Sequence, residues 1–317
     1  MITASPASRA TARLQRRGGY WARAVPAIAC AIFAALQGAT AFAQQLRTNP
    51  NLPLVGIGRV EAMVVQGDGK IIIGGAFSYV TAAGDERVNI ARFNNDGSLD
   101  TTFNFRPTSV VNALAIIGST LYLGGDFTGL SKVGSGSVLR NRLAAIDLTG
   151  LSITGFDPGA DGEVFALAAS GTTLYAGGFF TFVAGSQRVG GAAFNTVAAG
   201  ALTAWDPETF DVTAPGNLGA IYAIAPFGGT IYIGGTFTQA GGLFTGVGRE
   251  NVAAVDPGNG TATAWDPVVS NGVGGTSIVR AIVPTASVVY LGGQFSALNN
   301  PASPERPASR RRPTTTA

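Results

Sequence analysis

The chain has 317 residues, with 21 Lys+Arg against 18 Asp+Glu for a net charge of +3, no His and a single Cys. The last two counts exclude much chemistry. Without imidazole there is no Ser-His-Asp or Cys-His relay, and one thiol supports neither a Cys/His zinc site nor an internal disulfide. Carboxylates, hydroxyls, Arg and backbone groups remain, and neither a cofactor nor a metal site is expected from them.

Residues 1–43 contain Arg9, Arg13, Arg16, Arg17 and Arg23 and no acid, followed by an apolar run over 24–36 and then Ala41-Phe42-Ala43. A basic segment, an apolar segment and an A-x-A site predict a cleavable signal peptide over 1–43, cut after Ala43, and a secreted or periplasmic protein. The apolar run, about 13 residues, is too short to span a bilayer, so no stable membrane anchor is expected. Cys30 lies in that run and leaves with the signal. A second basic cluster, Arg306, Arg310, Arg311 and Arg312, falls in an Arg/Pro/Thr-rich tail over 299–317 that is expected to be disordered and solvated. The body over 44–298 then has a net charge near −5, so phosphate neutralisation, and with it nucleic acid as a partner, loses its basis.

From residue 60 onward the order of elements repeats. Gly-Gly-x-Phe recurs at Gly74-Gly75-Ala76-Phe77, Gly124-Gly125-Asp126-Phe127, Gly177-Gly178-Phe179-Phe180, Gly234-Gly235-Thr236-Phe237 and Gly292-Gly293-Gln294-Phe295, at intervals of 50, 53, 57 and 58 residues. Each closes a short run of β-branched and aromatic residues, such as Thr120-Leu121-Tyr122-Leu123, and a further strand-like piece precedes it across a turn signal such as Gly67-Asp68-Gly69. A third piece follows, reading Arg-x-x-x-Ala and ending in Asp or Asn (Arg87 to Asn94, Arg140 to Asp147, Arg188 to Asn195, Arg249 to Asp256). A fourth ends in Phe156-Asp157-Pro158, Trp205-Asp206-Pro207 or Trp265-Asp266-Pro267, with a looser form at Phe103-Asn104-Phe105-Arg106-Pro107. Four short strands per unit of about 50 residues predict an all-β chain, a β-propeller of about five four-stranded blades.

The segment Asn94-Asn95-Asp96-Gly97-Ser98-Leu99-Asp100-Thr101-Thr102-Phe103-Asn104 after a Gly-Gly-x-Phe strand resembles the delta-60 repeat of exported bacterial proteins. The later units, with Val255-Asp256-Pro257 and then Trp265, are also similar to kelch repeats. Both resemblances imply a propeller and leave the activity open. Kelch-type copper oxidases would need His ligands and a Cys crosslink that the mature chain lacks.

The fifth unit holds only its first two strands before Asn299-Asn300-Pro301, since Pro cannot donate to a ladder. Thr48-Asn49-Pro50 echoes the end of a fourth strand and is a candidate to complete the last blade. An alternative is that the tail reflects a truncation or a shifted reading frame.

Repetition separates scaffold from site. Gly-Gly, the Trp/Phe-Asp-Pro turn and Arg87, Arg140, Arg188 and Arg249 recur, so they are expected to serve the blade: Gly for close backbone approach or positive φ, the ring for packing between blades, and Arg for pairing with those carboxylates or with loop carbonyls. A ring of anion contacts is the alternative for the four Arg. By contrast, the second residue of the inner-strand motif varies: Glu61, Asn112, Phe165, Tyr222 and Arg280. On the innermost strand these five are candidates for a ligand site at the channel mouth, with a mix of groups that suits a sugar or a peptide; channel filling or blade packing is the plainer alternative. The loops over 78–86, 128–139, 181–187 and 238–248 are expected to open on the same face. No catalytic residue is assigned: of the inner-strand set only Glu61 is an acid, and Asp126 and Glu163 could join it without any spacing that demands it. Gly67-Asp68-Gly69 and Asn94 to Asp100 fall short of calcium-loop spacing and read as hairpin turns.

The expected function is therefore a secreted or periplasmic binding or structural module, monomeric, that takes a polysaccharide, peptide or cell-surface partner on its loop face. A carboxylate-dependent glycosidase or lyase on the same scaffold is the alternative.

Overall fold

The computed structural model describes residues 56–80, 84–198, 200–211, 217–241, 247–271 and 277–299. The expected signal peptide, Thr48-Asn49-Pro50 and the tail from residue 300 lie outside the described residues. No helix occurs among the described residues, and every sheet is antiparallel and small.

Each repeat opens on a hairpin. The inner strands Gly56–Val65, Val111–Ile117, Glu163–Ser170, Ala220–Phe227 and Ile278–Pro284 pair with the Gly-Gly strands Ile71–Val80, Thr120–Gly125, Thr173–Phe179, Thr230–Thr236 and Val289–Gln294. Two-residue turns join three of these pairs, and Gly118, Gly171 and Gly228 lead them at φ of 58°, 57° and 58°. A twisted hairpin needs that left-handed conformation, which Gly adopts without steric cost. Third strands Glu86–Phe93, Leu143–Asp147, Gly191–Asn195 and Val252–Val255 pair with the far edge of the Gly-Gly strand in the first four repeats. Val289–Gln294 has no such third strand among the described residues, and most of the stretch where one is due lies outside them.

The fourth strands are shorter than expected. Ser152–Ile153 and Ala201–Leu202 complete four-stranded sheets in the second and third repeats, whereas the first and fourth keep only the isolated bridges Phe93↔Leu99 and Val255↔Ala262. After the fourth strand of the second and third repeats the chain leaves the sheet, and Phe156 and Trp205 turn into the core. The loops between second and third strands carry short ladders of their own. Phe105–Pro107, Gly129–Lys132 and Ser137–Leu139 form a small sheet of their own, Phe182–Val183 pairs with Ser186–Gln187, and Phe210–Asp211 joins Gln239–Ala240 and Val247–Gly248. These short ladders satisfy backbone groups that a longer loop would leave to solvent.

The core is divided among the junctions between consecutive repeats. One cluster joins Ile72, Ile90 and Phe103 to Val111, Leu114 and Leu121, and the next joins Tyr122, Leu143 and Phe156 to Val164, Leu174 and Phe194. The third joins Tyr175 and Trp205 to Ile221 and Ile233, and the fourth joins Val252 to Val279 and Ile282, with Trp265 packed against it. Aromatic pairs line these seams edge to face: Tyr122 with Phe156 at 5.2 Å, Tyr175 with Trp205 at 5.0 Å, and Tyr232 with Trp265 at 5.3 Å. Packing of each sheet against the next is the propeller principle, and the chain is an all-β propeller.

The two Gly of each pair do different jobs, and positive φ is not among them. A Cβ on the first would lie 2.5–2.7 Å from a methyl of Val111, Val164, Ile221 or Val279 in the following repeat, for Gly74, Gly124, Gly177 and Gly234 respectively. A Cβ on the second would fall on the carbonyl oxygen of Arg59, Val110, Glu163, Ala220 or Ile278 in the paired inner strand. The first Gly is thus a hole for the neighbouring repeat's β-branched residue, and the second lets its own hairpin close.

Candidate functional site

The register of each inner hairpin slips at one place: between Val60 and Ala62, Val111 and Ala113, Val164 and Ala166, Ile221 and Ala223, and Val279 and Ala281. The extra residue is Glu61, Asn112, Phe165, Tyr222 or Arg280. A bulge frees a side chain from the alternation of the strand and re-aims it, and this is why the five candidates vary between apolar neighbours.

Three of the five meet one another across the repeats, and a fourth, Asn112, reaches the repeat after its own. Asn112 donates Nδ2 to Glu163 Oε1 at 2.8 Å and to the Val164 carbonyl at 3.1 Å, tying the second repeat to the third. The Phe165 ring lies on that of Tyr222, with centroids 4.7 Å apart and planes at 32°. The Arg280 guanidinium covers Tyr222 at 4.8 Å from its centroid, a cation–π contact. Phe165, Tyr222 and Arg280 therefore form one stack across three repeats, partly open except for Arg280, which is exposed. Glu61 instead pairs with Arg59 of its own strand. Glu163, which the sequence nominated only loosely, is the acid that joins the ladder; its place just before the β-branched residue preceding Phe165 is the available signal. Asp126 faces Arg142, 3.9 Å away.

The four recurrent Arg are clamps. Arg140 donates Nη1 to the Leu139 carbonyl at 2.7 Å and Nη2 to the Thr154 carbonyl at 2.8 Å, and its Nη1 lies 3.3 Å from Asp157. Arg188 repeats this with Gln187, Thr203 and Asp206, and Arg249 with Gly248, Thr263 and Asp266. Arg87, fully buried, reaches the carbonyls of Glu86, Thr101 and Asp100. Each guanidinium fastens the start of the third strand to the turn beyond the fourth, so the scaffold assignment holds and the ring of anion contacts does not. The suspected calcium segments are turns: Asp96 accepts from the Ser98 amide at 2.9 Å, and Asp68 from the Lys70 amide at 3.1 Å.

One clamp carboxylate stands apart. Burial pushes Asp206 up to about 6, outweighing the pull of Arg188, and Glu208 adds repulsion. A carboxyl raised above its ordinary value of about 3.9 stabilises the fold fully below that value, and this contribution is lost as pH rises through about 6. Asp206→Asn should therefore gain melting temperature relative to the wild type as pH goes from about 4 to about 7. A difference that stays constant across that window in a series of thermal melts would contradict this.

Residues 66–103, covering the Gly-Gly strand of the first repeat and the segment after it, match the family described as a domain of unknown function (DUF5122) beta-propeller. No curated protein sequence matches the chain. Among solved structures, the chain is similar to the computationally designed Ika4 protein, at 15% identity and a TM-score of 0.38, covering 61% of this chain and 92% of that one. It is also similar to the computationally designed Ika8 protein, at 13% identity and a TM-score of 0.40, covering 76% of this chain and 74% of that one.

Proposed function

We propose that the protein is an exported propeller of the delta-60 type that acts as a binding module, taking a glycan or peptide on the ladder of inner-strand side chains. The observation that carries this reading is the stack of Phe165, Tyr222 and Arg280. The part-exposed Phe165 and Tyr222 rings offer aromatic surface to sugar rings or apolar peptide groups, and the exposed guanidinium that covers Tyr222 supplies fork-shaped donors for hydroxyls, carbonyls or carboxylates. The scaffold has no use for these three identities, since other residues occupy the same bulge in the first two repeats. Loops and channel rims on a rigid frame are the usual place for such a site. Export rests on the arrangement of residues 1–43, and an N-terminus beginning at Gln44 in protein recovered from outside the cytoplasm would support it.

A glycan array probed with the mature protein, followed by titration of any hit, tests the binding reading. Tyr222→Ala and Arg280→Ala should each weaken binding by about tenfold, equivalent to about 1.4 kcal/mol, with melting temperature unchanged. Affinity unaltered in both variants would remove the ladder as the site. Turnover of a bound glycan that disappears in Glu61→Gln or Glu163→Gln would favour the carboxylate-dependent enzyme instead.

A further inference from the structure

Each internal junction of the propeller has two sides. The trailing side of a repeat offers the first Gly of its pair and the Tyr two residues earlier, as in Tyr122 and Gly124, Tyr175 and Gly177, and Tyr232 and Gly234. The leading side of the following repeat offers a β-branched residue and the apolar positions after its bulge, as in Val111, Leu114 and Ile116. Four such junctions are filled, and Val111, Val164, Ile221 and Val279 are all 0% exposed.

Among the described residues, the two ends of the array are unfilled halves of this same junction. On the leading side of the first repeat, Val60 is 37% exposed and Val65 45%, with Met63 half-buried between them. On the trailing side of the fifth, Tyr290 is 59% exposed, and among the described residues a Cβ placed on Gly292 would meet only its own hairpin partner Ala281, at 3.5 Å. The second Gly, Gly293, still faces the Ile278 carbonyl as in the other repeats, so the fifth hairpin is properly formed and its hole is ready.

Charge agrees with shape. Along the ladder Asn112, Phe165 and Tyr222 each reach the next repeat, as Tyr222 meets Arg280. At the trailing end the bulge residue is the cation Arg280, and at the leading end it is the anion Glu61, held by Arg59. We propose that two copies of this chain associate head to tail, with Val60 of one seated at Gly292 of the other and Glu61 facing Arg280. This replaces the monomer expected from the sequence. The contact is heterologous, so it closes if two copies complete a ring and otherwise propagates.

Sedimentation of the purified chain over a concentration series tests this. The wild type should show a mass at least twice that of the monomer, and a wild type that stays monomeric overturns the proposal, including the case in which Val60 fills the hole of its own chain. Gly292→Val fills an open space outside the ligand ladder, so the variant should keep the ligand affinity and, at concentrations where the wild type is dissociated, its melting temperature, while its self-association weakens at least about tenfold. Undiminished association in that variant overturns the proposed contact without touching the ligand reading. Glu61→Arg and Arg280→Glu, each folded by circular dichroism, should be monomeric alone and associate when mixed, because each then meets an opposite charge. Failure of the mixture to associate overturns the charge pairing.

Discussion

Asp100→Ala is expected to lower the unfolding free energy by about 3–5 kcal/mol, the cost of breaking a buried ion pair by removing one partner. The side chain of Asp100 is 6% exposed and that of Arg92 5%. One oxygen accepts from Arg92 Nε at 3.0 Å and Lys70 Nζ at 2.9 Å, and the other from the Thr102 amide at 3.0 Å and hydroxyl at 2.6 Å. Arg92 also lies over the Phe103 ring at 4.7 Å. Loss of the carboxylate leaves the Arg92 guanidinium in the first junction with its charge uncompensated, while Lys70 can turn towards water. Asp100→Asn keeps the shape and an acceptor for Thr102, so it should cost less than Ala. Urea denaturation with an unchanged m-value checks both, and a loss below about 1 kcal/mol in the Ala variant would refute the account. Burial alone would raise this carboxyl, but the Thr102 and Lys70 hydrogen bonds and the Arg92 charge hold it far below the usual range. Its contribution is therefore present above about pH 4 and is lost as pH falls below that, opposite in sign to that of Asp206.

The second large effect concerns the Gly-Gly pairs. In Gly177→Ala the new methyl would lie 2.5 Å from Ile221 Cγ2 and 2.9 Å from Ile224 Cδ1 in a filled junction, so a loss of about 1–3 kcal/mol is expected. Gly178→Ala should cost at least as much, because its methyl meets the Glu163 carbonyl, and backbone beside a bulge cannot turn aside as a side chain can. Gly292→Ala, measured at concentrations where the chain is dissociated, should stay within about 0.5 kcal/mol of the wild type. Combining Gly177→Ala with Ile221→Ala makes the clash removable: the pair should destabilise less than the sum of the single changes, by a coupling of about 0.5–3 kcal/mol. Strict additivity in chemical denaturation would show that the hole and the β-branched residue do not touch.

What was legible in the sequence follows from repetition. Strand alternation around Tyr122 or Tyr232, turn residues such as Gly118 and Gly228, and the spacing of the Gly-Gly pairs are local, so the all-β propeller and its hairpins could be read from one chain. The variable residues Glu61, Asn112, Phe165, Tyr222 and Arg280 could be picked out for the same reason, because their neighbours hold constant. The sequence could not say that these five sit on bulges, since a bulge is defined by the partner strand. Nor could it say which of them meet: Phe165 and Tyr222 are 57 residues apart and touch only because consecutive inner strands pack side by side. Composition determined what chemistry is closed to this protein, and periodicity determined its fold class. Contacts between repeats decided the rest: the roles of the two Gly, the burial of Asp100 with Arg92, the stack on Tyr222, and the unfilled faces at Val60 and Gly292. Each depends on side chains far apart in the chain, brought within a few ångströms by sheets that bury themselves only against one another.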